Sequence, residues 1–490
     1  MATHHDPTNG QQLSSVQFSR LPRRGVLLGL SVSQLLVFGI GIVTFVIAIY
    51  SGGAMVVIGS SPIWLTCLLL ASVSVRGRKL VDWLPIVARW TWRSTAGQLI
   101  FRHRVIKPRP VGTLSLPGDA SALREWVDPE TGAAMVHDPH AQTLTAVLGV
   151  THPAFVLLDP GEQQRRVTGW GRVLATACHS GRIARLQVSE RTLPDSDSGS
   201  GLAEWWATHG KDDDSWPATT YRELIERAGP TSERHATTIS LALDMHAAAR
   251  QIRSSGGGLR GAASVLRQEM TTLVTALRAA DLTTTGWLSP GEVAVILRSA
   301  YDPAAAPALE RHSEISRSLA TAGPVAVTES WDKVRTDSAH HTVLWISEWP
   351  RSQVYPGFLA PMLLTSGVKR TFSLICTPVR ADLAVRDIRK KKVGLLSDAA
   401  QRAKIGQIED AARTAEYQDV LQQESDLTAG HGVLRYTGLI AVSAPTVDEL
   451  DAAVAAIEQA AIQASCDTRR LVGQQAQAFA AAALPLCRDV

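Results

Sequence analysis

For 51 consecutive residues, Gly25 to Val75, the chain contains no Asp, Glu, Lys or Arg. Missing charge excludes an ordinary solvated surface for this stretch. Its length exceeds one crossing, since a hydrocarbon core of about 30 Å takes roughly 20 apolar residues per helix. Ser51-Gly52-Gly53 divides it into Leu27 to Tyr50 and Ala54 to Val75, the latter containing Pro62. The expectation is a two-helix transmembrane hairpin over residues 25–75. A secretory signal has an apolar core of about 7–15 residues before a cleavage site, whereas a second apolar run follows here.

Cysteine is equally sparse. Cys67, Cys178, Cys376, Cys466 and Cys487 are scattered, and no two form C-x-x-C, so neither a zinc site nor a disulfide framework is expected. Isolated thiols of this kind suit a reducing compartment, where they serve as small apolar core residues. The phosphate-loop pattern G-x-x-x-x-G-K-[ST], the G-x-S-x-G elbow, H-E-x-x-H and the EF-hand loop are absent. These absences predict no enzyme, no cofactor, and no catalytic or metal-binding residue.

Charge is unevenly distributed. Of 49 Lys/Arg and 45 Asp/Glu, residues 1–110 hold 12 basic residues against Asp6 and Asp82, so the remainder carries a net −6. Arg20, Arg23 and Arg24 precede the apolar stretch and Arg76, Arg78 and Lys79 follow it. By the positive-inside rule both termini are expected in the cytoplasm, with the protein in the cytoplasmic membrane. The basic excess beside the bilayer suits anionic headgroups. Direct nucleic-acid contact by the soluble part is not expected.

The fold class predicted is α+β: a hairpin, then cytoplasmic α/β domains with a helical insertion. Residues 1–24 read as a cytoplasmic tail, with His4 and His5 as a disordered pair. Residues 76–110 read as an interfacial amphipathic segment, Trp83, Trp90 and Trp92 lying among Arg89, Arg93, Arg102 and Arg104, closed by the stiff Lys107-Pro108-Arg109-Pro110. Residues 111–232 form a β-rich α+β subdomain. In residues 233–490, alternating strands and helices predict a ferredoxin-like sandwich over 325–485 with a charged helical arm at 381–424. Thr446-Val447-Asp448-Glu449 fits a capping box.

Several clusters invite a chemical reading and have a plainer one. Asp212-Asp213-Asp214 reads as a solvated loop. His137-Asp138-Pro139-His140 reads as a turn, and Gly256 to Gly261 as a flexible connector. His340-His341 reads as a strand edge, while Asp332, Asp337 and Glu348 lack the spacing of an acid/base pair.

The segment His341 to Pro350 (HTVLWISEWP), then Gly357-Phe358-Leu359, the helical insertion ending near Glu424, and Leu434-Arg435-Tyr436-Thr437-Gly438 resemble the non-motor amino-terminal region of TraC/TrbE-class type IV secretion ATPases. The hairpin resembles the PrgI-like or VirB-type small membrane subunit. The whole chain resembles actinobacterial PrgI-family conjugation-associated membrane proteins. In the ATPases this region leads into a RecA-like motor, which is not expected here.

The resemblance implies a non-catalytic scaffold of a conjugation or type IV secretion-like apparatus, docking a separately encoded ATPase and other subunits, with self-association open. Arg386 to Glu424 and the carboxy-terminal helix are the expected docking surfaces. Two alternatives stand beside it. One is an EccE-like type VII secretion component; the other is a membrane-tethered metal-dependent enzyme using Asp212 to Asp214 or His137 and His140.

Overall fold

The computed structural model describes residues 32–75, 78–104, 110–151, 155–194, 200–211, 213, 215–228, 233–311, 319–350, 352, 354–405, 411–428 and 432–489. His4, His5, Arg20, Arg23, Arg24, Lys107 to Arg109, Asp212 and Asp214 therefore lie outside the described residues. What is described falls into two units, divided between Leu99 and Ile100.

The first unit is dominated by one helical element long and apolar enough to cross a membrane, α1 (Val32–Ser72). It is hydrophobic all round, which leaves no polar face to turn to water. Its regularity fails at Gly52 and Gly53; Gly53 has φ 61° and ψ −150°, a conformation that only glycine enters freely. Residues on the two sides of this break touch. Gln34 Nε2 donates to the Ala71 carbonyl at 2.9 Å, and the Phe45 and Trp64 rings lie 5.1 Å apart. Two short strands, β1 (Ser74–Val75) and β2 (Arg78–Lys79), pair and lead into α2 (Leu80–Thr95), which leaves Trp92 exposed. Of the amphipathic segment expected over residues 76–110, the helix covers Leu80–Thr95 and is followed by Gly97 in the left-handed region. Ile100 to Arg102 is instead a strand of the second unit.

That unit is one 13-stranded sheet. Its strands are β3 (Ile100–Arg102), β4 (Arg124–Val127), β5 (Ala134–Asp138), β6 (Thr143–Thr151), β7 (Ile183–Pro194), β8 (Glu233–Asp244), β9 (Thr283–Trp287), β10 (Ala326–Glu329), β11 (Val334–Arg335), β12 (His340–Glu348), β13 (Lys369–Val379), β14 (Val433–Ala444) and β15 (Asp467–Arg470). They lie in the order β3-β10-β11-β12-β14-β13-β7-β8-β6-β5-β4, with β9 beside β6 and β15 beside β12. Every pairing is antiparallel.

In chain order this sheet is built twice. The first copy runs through the meander β4-β5-β6, then α3 (Pro160–Ser180), β7, the inserted helices α4 (Ser200–His209) and α5 (Trp216–Ala228), and β8. It continues through α6 (Ala249–Ser254), α7 (Gly258–Ala279), β9 and α8 (Pro290–Tyr301), with α9 (Ala306–Arg311) leading on. The second repeats the plan: β10-β11-β12, α10 (Ala360–Leu363), β13, the inserted α11 (Ala381–Ile405) and α12 (Ala411–Thr428), β14, α13 (Val447–Gln463), β15 and α14 (Gln475–Ala483). Within each copy the third meander strand sits between the same two partners, and each ladder to the last strand has a register shift, at Gly149/Val150 and at Ile346/Glu348.

The copies join through β7 and β13, from Leu186↔Cys376 to Thr192↔Arg370. Equivalent strands running antiparallel relate the halves by an approximate two-fold near the Ser189↔Ser373 pair. The division expected at 232/233 falls between β7 and β8, which are paired from Ile183 to Pro194.

Period-2 alternation divides the core between the sheet's faces. Leu144, Leu148, Leu241 and Leu243 pack under Leu266, Met270 and Leu273 of α7. Leu344, Ile346, Ile440 and Val442 do the same under Leu450, Val454 and Ile457 of α13. Their neighbours Val147, Val343, Leu439 and Ala441 point to the opposite side, onto Val293 and Leu297 of α8 and Phe479 of α14. The carboxy-terminal helix, expected to be a docking surface, is therefore core: Ala478 to Ala483 are all buried. Alanines without bulk let its backbone lie close on the sheet.

Beyond α14 the chain crosses the seam between the copies. Gln187 Nε2 donates to the carbonyls of Ala481 and Leu484, each at 3.1 Å, and its Oε1 accepts from the Cys487 amide at 2.7 Å. Ser373 Oγ donates to the Ala482 carbonyl and Ser240 Oγ to that of Pro485, both at 2.7 Å. A buried polar row on β7, β8 and β13 thus satisfies backbone groups that no ladder reaches.

Two glycines of α3 should respond oppositely to alanine. A Cβ on Gly169 would lie 2.8 Å from Ala280 Cα and Cβ, while one on exposed Gly171 meets nothing within 4 Å. Gly169→Ala is expected to lower stability by about 1–3 kcal/mol through overpacking. Gly171→Ala should raise it by about 0.5–1 kcal/mol through helix propensity. Denaturant midpoints of the two variants check this; a shared sign would refute it.

Candidate functional site

The ends of β7 and β13 open a cleft of about 930 Å³ between the two copies. The first copy contributes Thr143 of β6, Cys178 and Gly181 at the end of α3, Ile183 and Arg185 of β7, Asp244 at the end of β8 and Ala247 beyond it. The second contributes Thr377 to Arg380 leaving β13, Arg435 of β14, and one face of α11 carrying Leu383, Arg386, Asp387 and Lys390. Those four positions share a face because residues three, four and seven apart on a helix stack.

Five basic side chains and two carboxylates line this cleft. Both carboxylates are engaged: Asp244 Oδ1 accepts from the amides of His246 and Ala247 at 2.9 and 3.0 Å, and Asp387 pairs with Lys391 at 3.6 Å. Arg380 pairs with Asp382, and Arg185 reaches Asp489 at 3.0 Å and the Cys487 carbonyl at 3.2 Å. Arg386, Lys390 and Arg435 have no hydrogen-bond or ion-pair partner among the described residues. Cys178 forms part of the wall, with burial pushing its thiol up to about 11, so it stays protonated at neutral pH.

The opposite end of the same seam carries a basic side chain that is matched within the protein. There Arg370 is buried and donates to the carbonyls of Leu363, Thr365 and Val368. Glu233 accepts from the Gly367 amide, and Glu190 meets His235 at 2.9 Å. Burial lowers the Arg370 pKa, while Glu233 and Glu190 pull it back up.

The clusters singled out in the sequence are not brought together. Asp138 Oδ1 accepts from the amides of His140 and Ala141, its Oδ2 meets Arg488 at 2.9 Å, and the segment is a turn. Asp213 caps Ser215 in its loop. Asp332 pairs with Arg470 at 3.2 Å; Asp337 meets Arg298 at 2.7 Å and accepts from the amides of Val325 and Ala326. Among the described residues, no group of three His, Cys, Asp or Glu is arranged to hold a metal.

His341, expected at a strand edge, is fully buried. Its Nε2 lies 2.7 Å from Thr336 Oγ1, its Nδ1 2.7 Å from Ser443 Oγ, and its ring 4.4 Å from that of Phe479. Burial lowers its pKa to about 3, with neighbouring His340 adding to the effect.

Gly256 to Gly258 are not a loose connector, since successive φ values of 101°, 72° and 56° fold them into a tight join between α6 and α7. Gly256, Gly258 and Gly261 do have G-x-G-x-x-G spacing. The motif binds dinucleotides only between a strand and a helix, and here a helix precedes it. Gly261 lets Ile252 approach instead; a Cβ there would strike the Ile252 carbonyl.

The cleft escaped the sequence reading because its walls come from segments some 200 residues apart. The signal available was the i, i+3, i+7 set Leu383, Arg386, Lys390. No family model matches the chain, and no curated protein matches it.

Proposed function

We propose that the chain is a non-catalytic scaffold subunit of a conjugation or type IV secretion-like apparatus, held in the cytoplasmic membrane and docking a separately encoded ATPase. The observation that carries the membrane part is α1: apolar all round and outward-facing, with Ile58 and Met55 69% and 83% exposed. A core helix would bury such residues, whereas lipid accepts them. Gln34 against Ala71 and Phe45 against Trp64 support two antiparallel spans turning at Gly53, each of about 20 residues, with both flanks cytoplasmic. The Trp- and Arg-bearing α2 suits the headgroup level.

The secretion part rests on the resemblance. Its most characteristic segment, His341 to Pro350, covers most of β12, the central strand of the second copy, and the two residues after it. Each copy's β-α-β-β-α-β run, with the first strand between the third and the last, supports a ferredoxin-like reading of both halves. The arm α11/α12 remains the proposed docking surface, with Val385, Val393 and Leu396 exposed along α11.

Detergent-solubilised full-length protein is expected to co-purify with the ATPase encoded beside it. No association in a folded preparation would refute the scaffold reading. Topology is checked separately: in a Cys67→Ser background, Ser51→Cys should react with an impermeant maleimide from outside the cell. Labelling only after lysis would exclude the two-span arrangement.

A further inference from the structure

We infer that the cleft at the open end of the β7/β13 seam binds a ligand carrying at least two phosphate groups. Arg386, Lys390 and Arg435 line it without an ion-pair partner among the described residues, and the five basic side chains of the lining outnumber the carboxylates of Asp244 and Asp387. Three like charges around one concavity repel one another, and an anion seated among them relieves that repulsion. Guanidinium forks match phosphate oxygens two at a time, and the ammonium of Lys390 adds a point charge.

Size and lining narrow the ligand. At about 930 Å³ the space exceeds what one inorganic phosphate fills and suits a nucleotide-sized molecule. Ile183, Ala247, Pro378, Val379 and Leu383 offer an aliphatic floor for the part without phosphate. The seam's other end supplies an internal comparison. There Arg370 donates to the carbonyls of Leu363, Thr365 and Val368, with the carboxylates of Glu190 and Glu233 alongside. Arg386, Lys390 and Arg435, by contrast, have no such protein acceptors among the described residues.

Because both copies contribute walls, an occupant would bridge them. It would also fix the base of α11, whose far portion is the proposed docking surface. This inference stands apart from the scaffold reading, because cleft binding requires no ATPase.

The test uses full-length protein in nanodiscs of phosphatidylcholine alone, titrated calorimetrically with pyrophosphate and with ADP, both in EDTA. A second preparation replaces part of the phosphatidylcholine with cardiolipin, a lipid bearing two phosphates. The comparison protein is the double variant Arg386→Gln/Arg435→Gln; both side chains are exposed, so its thermal midpoint should match the parent's.

Binding of either soluble probe that weakens at least tenfold in the variant supports the inference with a soluble ligand. Failure of both probes, combined with a thermal stabilisation by cardiolipin that the variant loses, supports it with a lipid headgroup. No response to any probe, or an equal response from the variant, overturns it.

Discussion

Phe479→Ala is expected to destabilise the protein by about 3–5 kcal/mol, the range for emptying a well-packed aromatic site. The ring is 2% exposed and stands 5.2 Å from that of Tyr301 and 4.4 Å from that of His341, joining α14 to α8 and β12. None of these partners can close the gap cheaply: Tyr301 is fully buried in its own packing, and His341 is held at both ring nitrogens. Leucine at 479 keeps most of the volume and should cost less than about 1.5 kcal/mol. Guanidinium unfolding of the full-length protein in detergent reads both, as midpoint shifts at unchanged slope. A loss below about 1 kcal/mol for the alanine variant would show that α14 is not part of the core.

Acid should unfold the protein in a window set by His341. Its pKa is held at about 3 in the folded chain and returns to the ordinary histidine value of 6.5 on unfolding. Below 6.5 the unfolded state takes up a proton that the folded state refuses, so stability falls with pH until the folded value is reached. Linkage sets the slope at no more than about 1.4 kcal/mol per pH unit from this one group. Above pH 6.5 the contribution is complete and flat. His341→Asn keeps a side chain able to meet Thr336 or Ser443 and removes the titration. The variant's stability is therefore expected to decline less steeply between pH 6.5 and 4 than the parent's. Parallel declines would assign the acid sensitivity to carboxylates instead.

How much of this was legible in the sequence follows from which forces act locally. The apolar stretch, its Gly53 break and most strands announce themselves through composition and period; β8 at Glu233–Asp244 and β14 at Val433–Ala444 match their alternation closely. Thr446 does cap α13, accepting from the Glu449 amide at 3.3 Å. The equivalent signal at Ser289-Pro290-Gly291-Glu292 opens α8 with a full capping box and was there to be read.

Thr113 to Leu116 has the alternation of a strand, with Leu114 and Leu116 on one side. Those leucines are core, but only one bridge, Thr113 to Arg124, forms there. Phe155 to Leu157 is a 3-10 turn before the Asp159 cap of α3, although its composition suits a strand. The duplication stayed hidden because topology constrains burial rather than residue identity; two copies can keep one plan of pairing while sharing almost no letters. His341 departs from a strand-edge position for a related reason. A polar side chain can occupy the interior when both ring nitrogens find hydroxyls, and Thr336 and Ser443 are five and 102 residues away.

The seam also bears on synthesis. Strand β7 leaves the ribosome long before β13, the neighbour that covers one of its two edges, about 180 positions downstream. Until then its hydrogen-bonding groups on that side stand open to any other nascent chain, and long-range pairing closes slowly. Adjacent ribosomes on one message would hold such edges near each other. Misassembly between half-made chains is thus the hazard this architecture carries from birth.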